Sequence, residues 1–175
     1  HSMLEALSII KQNPAFDQDK IERVEVRVPI FSLDVCNIQE PQTGHEAKFS
    51  YRFNAALSLL GKETSSLKSY SDKMTQRADI CEMRDKVSVN SAKNLDRYAT
   101  DVFVYLGEKT VITEHGDMGP PVEDFGSQGE KLERKFRALA EPLIGHSNTN
   151  QVIDAVWSLE CQPGVGTALS GLKVA

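Results

Sequence analysis

Histidines, cysteines and two cations are the residues from which chemistry would have to come, and their spacing excludes most of it. The four histidines are His1, His45, His115 and His146; no two stand at H-x-x-x-H spacing, and no carboxylate–histidine cluster suggests a metal site. His115, in HGD, and His146, after a helix end, read as surface or capping residues. Cys36, Cys81 and Cys161 are far apart, odd in number and form no C-x-x-C pair. This argues against a zinc knuckle or redox dithiol, and reduced structural thiols of a cytosolic-type protein are expected. No G-x-S-x-G, G-x-G-x-x-G or G-x-x-x-x-G-K-[ST] occurs, so neither a serine-hydrolase elbow nor a nucleotide cofactor has support. What remains is Lys48 and Arg52, one turn apart if both are helical, at the head of an apolar helix. Such a pair can hold carboxylates by charge-assisted hydrogen bonds, but spacing alone favours a solvated cationic face.

The stretch that carries them, GHEAKFSYRFNAALSLLG at residues 44–61, is the best-organised in the chain. Phe49, Phe53, Ala56, Leu57 and Leu60 form one apolar helical stripe, closed by Gly61 as a left-handed cap. Two helix starts compete. Thr43 and Glu46 have capping-box spacing, which would begin the helix at Gly44, whereas Ser50 as N-cap would begin it at Tyr51. We expect Ser50, with residues 51–60 helical and residues 44–49 an ordered loop beside the positive end of the helix.

Around this stretch the elements do not alternate as those of a doubly wound sheet would. Residues 2–12 read as a helix with Met3, Leu4, Ala6, Leu7 and Ile10 on its apolar side, ended by Asn13-Pro14. It begins at the first residue with no cap, which suggests a chain cut from something longer or a tag remnant. In IERVEVRVP, Val24, Val26 and Val28 point one way and Arg23, Glu25 and Arg27 the other, a half-buried strand expected in an antiparallel or edge location. A half-exposed helix is expected at 72–84, and strands at 86–90, 101–106 and 109–114, the last two a hairpin turning at Gly107-Glu108. Residues 115–126 read as a loop. A helix then starts at a Ser127/Glu130 capping box and stops at Gly145, with a Glu133–Arg137 pair on its wet side. A last helix at 150–160 is expected to bury Val152, Ile153, Val156 and Trp157.

This order predicts an α+β fold, a small antiparallel or mixed sheet packed with helices. At 175 residues one domain, or one domain with an appendage, is expected, long enough for a real core. A net charge of −5 with no basic stripe argues against nucleic acid, and no apolar run approaches a membrane span.

Six segments in order resemble the MmgE/PrpD family, which includes 2-methylcitrate dehydratase, cis-aconitate decarboxylase and iminodisuccinate epimerase. HSMLEAL resembles its T-H-x-x-[IL]-[ED]-A helix without the Thr, and IERVEVRVP the strand that follows. EAKFSYRF resembles the EAKFS-[IL]-P-Y signature, with Arg52 and Phe53 where Pro and Tyr are usual. KVSVN with DVFVYLGEKT, EKLERKFRALAEPLIG and VIDAVWSLE are similar to the later strands and helices.

The resemblance implies that residues 1–175 are the C-terminal α+β lid domain of a two-domain protein whose N-terminal all-α domain is absent. The parent would be a cytoplasmic, homodimeric, cofactor-free and metal-free lyase or isomerase acting on a small di- or tricarboxylate. Its site would lie between the domains, with most acid–base residues on the absent one, so that the fragment alone is inactive. His1, at the motif histidine, is the catalytic residue implied here. His-Ser-Met also looks like a tag scar, but Leu4, Glu5 and Ala6 continue the motif and favour a native His1. Lys48, Ser50, Arg52 and Phe53 are the substrate-binding residues implied, and Phe53 lacks the hydroxyl of the usual Tyr. The competing reading is a non-catalytic α+β interaction or dimerisation domain.

Overall fold

The computed structural model describes residues 1–107 and 110–172. Its contacts divide the chain into two compact units: residues 1–64 with 68–121, and residues 65–67 with 122–175.

The first unit is built on a four-stranded sheet of order β2-β1-β3-β4, formed by β1 (Ile21–Val28), β2 (Val87–Ser91), β3 (Ala99–Leu106) and β4 (Thr110–Asp117). β1 runs parallel to β2 and antiparallel to β3, and β3 is antiparallel to β4, so the sheet is mixed and the α+β expectation holds. β1 is an inner strand, not an edge. The alternation of the sequence still decides its faces: Val24, Val26 and Val28 have no exposed surface. On β3, Val102 and Val104 share that buried face. Register places Arg23 beside Tyr105, Glu25 beside Phe103 and Arg27 beside Asp101 on the opposite face. There the Arg23 guanidinium lies 3.3 Å from the Tyr105 ring centroid and that of Arg27 4.4 Å from Phe103, cation–π contacts that cover the aromatic rings. The expected hairpin is present as the β3–β4 pair, with Leu106 opposite Thr110; its turn residues Glu108 and Lys109 lie outside the described residues.

Helices α1 (Ser2–Ile10) and α4 (Tyr51–Leu59) supply the other half of the core. Ala6, Leu7 and Ile10 of the first meet Phe53, Ala56 and Leu57 of the second in one buried cluster with the sheet valines. Lys11 Nζ donates to the Ser58 carbonyl at 2.9 Å, tying the two helices. At Gly116 of β4 any Cβ would collide with the Ser2 carbonyl oxygen, so glycine there lets the head of α1 lie directly on the strand.

Both competing helix starts are used. Thr43 caps a short helix α3 (Gly44–Ala47), accepting from Glu46 N at 3.2 Å while Glu46 Oε2 accepts from Thr43 N at 3.3 Å. Ser50 then caps α4, accepting from Phe53 N at 3.2 Å. The expected loop at 44–49 is thus mostly a helical turn, and Gly61, at φ +64°, closes α4 as expected. The expected single helix at 72–84 is two, α5 (Asp72–Thr75) and α6 (Ala78–Asp85), because Arg77 between them is extended (φ −71°, ψ 128°). A further helix, α2 (Ile30–Cys36), follows Pro29 directly.

The second unit centres on α7 (Phe125–Trp157), which Gly145 (φ +79°) breaks where a stop was expected. It starts earlier than Ser127: Asp124 is the cap and accepts from Ser127 N at 3.0 Å. Arg137 bonds Glu133 at 2.8 Å within the first arm and reaches Asn150 Oδ1 of the second at 2.6 Å, so the arms fold back on each other. Val152 and Ile153 are buried between them, but Trp157 is 61% exposed and Val156 50%, against expectation. These two line an apolar groove of about 450 Å³ with Leu132 and Phe136 instead of filling a core. A short α8 (Val165–Ala168) follows. No described helix is long and apolar enough to cross a membrane.

Candidate functional site

The expected site residues do not gather in one place. Phe53 has no exposed surface and belongs to the core. Ser50 is 1% exposed, with its hydroxyl engaged as the helix cap. Lys48 is exposed at the C-terminal end of α3 and lines neither cavity described below. Arg52 Nε donates to the Val87 carbonyl at 3.0 Å, fastening α4 to β2, and its Nη1 is buried with no partner among the described residues. A groove of about 330 Å³ beside Arg52 also carries Arg84, Asp85 and Glu40, so its charges of both signs offset one another.

His1 stands apart from these, at the N-cap of α1, where it makes no side-chain capping bond. It lines a cleft of about 290 Å³ in the first unit. Five segments of the chain meet there. The head of α1 brings His1 and Ser2; α2 brings Phe31, Ser32, Val35 and Cys36, with Tyr51 from the first turn of α4 beside them. The approach to β3 adds Arg97 and Tyr98, the start of β3 adds Thr100, and Met118 completes the lining. Among the described residues no aspartate or glutamate lines it, although the chain as a whole carries a net charge of −5.

The polar groups of the cleft include the His1 imidazole, hydroxyls, a thiol and a fixed cation. Burial pushes the Tyr51 phenol above its ordinary value; a hydrogen bond to Ser32 opposes that shift, and the nearby Cys36 adds to it. Burial likewise raises the Cys36 thiol, so at neutral pH both keep their protons. Arg97 is exposed, with its guanidinium 5.5 Å from the Phe31 ring centroid and 5.7 Å from that of Tyr98. An imidazole, a phenol and a permanent cation, with no carboxylate among the described lining residues, suit a small anionic ligand. Among the described residues, no group of three or more His, Cys, Asp or Glu is placed to hold a metal ion.

Of the sequence candidates, then, only His1 is in this cleft. Tyr51, Ser32 and Arg97 were missed. Tyr51 lies next to Arg52 in the signature, but its side chain leaves the helix on the cleft side, which spacing alone does not show. His115, expected in a loop, is in β4 with Nδ1 at 2.6 Å from Asp101 Oδ1. His146 is a surface residue as expected, paired with Glu141 at 3.0 Å. The profile of the MmgE/PrpD C-terminal domain matches residues 1–159. No curated protein matches the chain.

Proposed function

The chain belongs to the MmgE/PrpD C-terminal domain family, and from that premise we propose that it is the lid domain of a cofactor-free lyase or isomerase acting on a small di- or tricarboxylate. The observation that carries this reading is the cleft holding His1, Tyr51 and Arg97 with no acidic side chain among its described lining residues.

The chemistry follows from the groups. A hydrogen on the carbon next to a carboxylate is acidic enough to be removed only if the charge left behind is stabilised. His1 takes that proton on an imidazole nitrogen, a base whose ordinary range lies near neutral pH. The electron pair moves onto the carboxylate, and hydrogen-bond donors lining the cleft stabilise it there. The pair then expels a neighbouring leaving group, giving elimination, or accepts a proton on the opposite face, giving epimerisation. Where a carboxylate is lost as carbon dioxide, no proton is removed from carbon: the C–C bond pair stays on the carbon left behind and takes a proton from a protonated general acid. The remaining acid–base groups are assigned to an N-terminal all-α domain of the same protein, with a homodimeric, cytoplasmic parent.

The test is turnover of a panel of small di- and tricarboxylates by the 175-residue chain and by the protein that includes its preceding residues. Activity of the longer protein only is expected; activity of the chain alone would contradict the division of catalytic groups. A second reading, a non-catalytic interaction or dimerisation domain, draws on the exposed apolar groove between the arms of α7, lined by Leu132, Phe136, Val156 and Trp157. It predicts no turnover by either protein.

A further inference from the structure

We propose that Arg97 is the carboxylate anchor of the His1 cleft and sets its preference for ligands with more than one carboxylate; this rests on the carboxylate reading given above. Arg97 lies in the loop before β3 and lines the same cleft as His1. Its guanidinium is within cation–π range of two aromatic rings, Phe31 at 5.5 Å and Tyr98 at 5.7 Å. A ring face restrains the position of a guanidinium without accepting its N–H bonds in the way a carboxylate does. The planar fork therefore stays available for bidentate binding of an incoming carboxylate. No ion pair to Arg97 is formed among the described residues, whereas Arg27, Arg77, Arg84 and Arg137 each hold an acidic partner.

Position adds to this. Phe31 belongs to α2 and Tyr98 to the approach to β3, so the cation bridges two walls of the cleft. With no aspartate or glutamate among the described lining residues, no carboxylate of the lining competes for the fork. A ligand with two carboxylates can place one on Arg97 and present the carbon beside the other to His1. A monocarboxylate satisfies only one of these demands, which gives the expected order of affinity.

The experiment is a titration of the chain with citrate, acetate and the uncharged trimethyl citrate, followed through the backbone amide signals of Tyr51, Thr100 and Met118. Citrate is expected to shift these signals, trimethyl citrate to leave them unmoved, and acetate to bind at least about tenfold more weakly. Arg97→Met should weaken citrate about tenfold or more and bring it close to acetate, with Arg97→Lys intermediate because it keeps the charge and loses the fork. Unchanged dispersion of the remaining signals shows that the variants are folded. Citrate binding in the cleft that Arg97→Met leaves unaltered overturns the role of Arg97 and leaves the carboxylate reading standing. Absence of any citrate shift in the unsubstituted chain overturns the Arg97 anchor, while the carboxylate reading stands or falls on turnover by the longer protein.

Discussion

His115 Nδ1 lies 2.6 Å from Asp101 Oδ1, across a β3–β4 register pair in which the two residues are direct partners. The hydrogen bond to Asp101 raises the imidazole above its ordinary 6.5; partial desolvation opposes this, and the charges of Asp101, Asp117 and Asp96 add to it. A raised folded-state value stabilises the fold fully below the unfolded value near 6.5 and loses that contribution as pH rises through the folded value. The side chain is 56% exposed, so the effect is small and screened by salt. A proton-NMR titration should place His115 above 6.5, and Asp101→Asn should bring it back down. A titration that Asp101→Asn does not move would show that the contact is not formed in solution.

Consecutive caps set the two helical turns ahead of the cleft. Ser50→Ala removes the acceptor for Phe53 N and should destabilise the fold by about 1 kcal/mol, within the usual range for a lost N-cap. Thr43→Ala should cost about the same. Urea unfolding of each variant measures this, and an unchanged midpoint would show that the cap adds nothing to stability.

Tyr70 holds the junction between those turns from outside. Its hydroxyl donates to Asn54 Oδ1 at 2.6 Å, while Asn54 Nδ2 donates to the carbonyls of Ala47 at 2.9 Å and Ser50 at 2.8 Å. Tyr70→Phe leaves the half-buried Asn54 oxygen without that donor and should lower stability by about 1–2 kcal/mol. Denaturant midpoints decide this; no change would mean that water replaces the phenol without loss.

Phe53 tests the separation of core from cleft. With no exposed surface it packs among the sheet valines and α1, so Phe53→Ala should cost about 3–5 kcal/mol. The milder Phe53→Leu should remain folded and bind citrate as the unsubstituted chain does. A large change in citrate affinity in a stable Phe53→Leu variant would place this residue at the ligand after all.

The legible parts of this molecule were those where burial and period coincide. Val24, Val26 and Val28 alternate with charged residues, so the face they bury is read directly. Gly61 and Gly145 mark positive-φ stops, and Ser50 was a correct cap. The α2 wall of the cleft was not legible because its pattern is inverted: Ser32 is buried while Ile30 is 73% exposed and Phe31 41%. No apolar stripe signals such a helix. Arg97 escaped for a related reason, since it lies in a loop, and loops are placed by the strands and helices at their ends. Phe53 was misleading in the opposite sense. Its signature position suggested a ligand contact, whereas its spacing with Ala56 and Leu57 already belonged to a core stripe.

The most direct measurement is wash-in of solvent deuterium at the carbon next to a carboxylate. It uses the protein that joins this chain to its proposed N-terminal domain, with a panel of small di- and tricarboxylates. With His1 as the base, the unsubstituted protein should exchange that hydrogen, and His1→Gln, still folded, should slow exchange by about 100-fold or more. Exchange at an unchanged rate in His1→Gln would contradict the account.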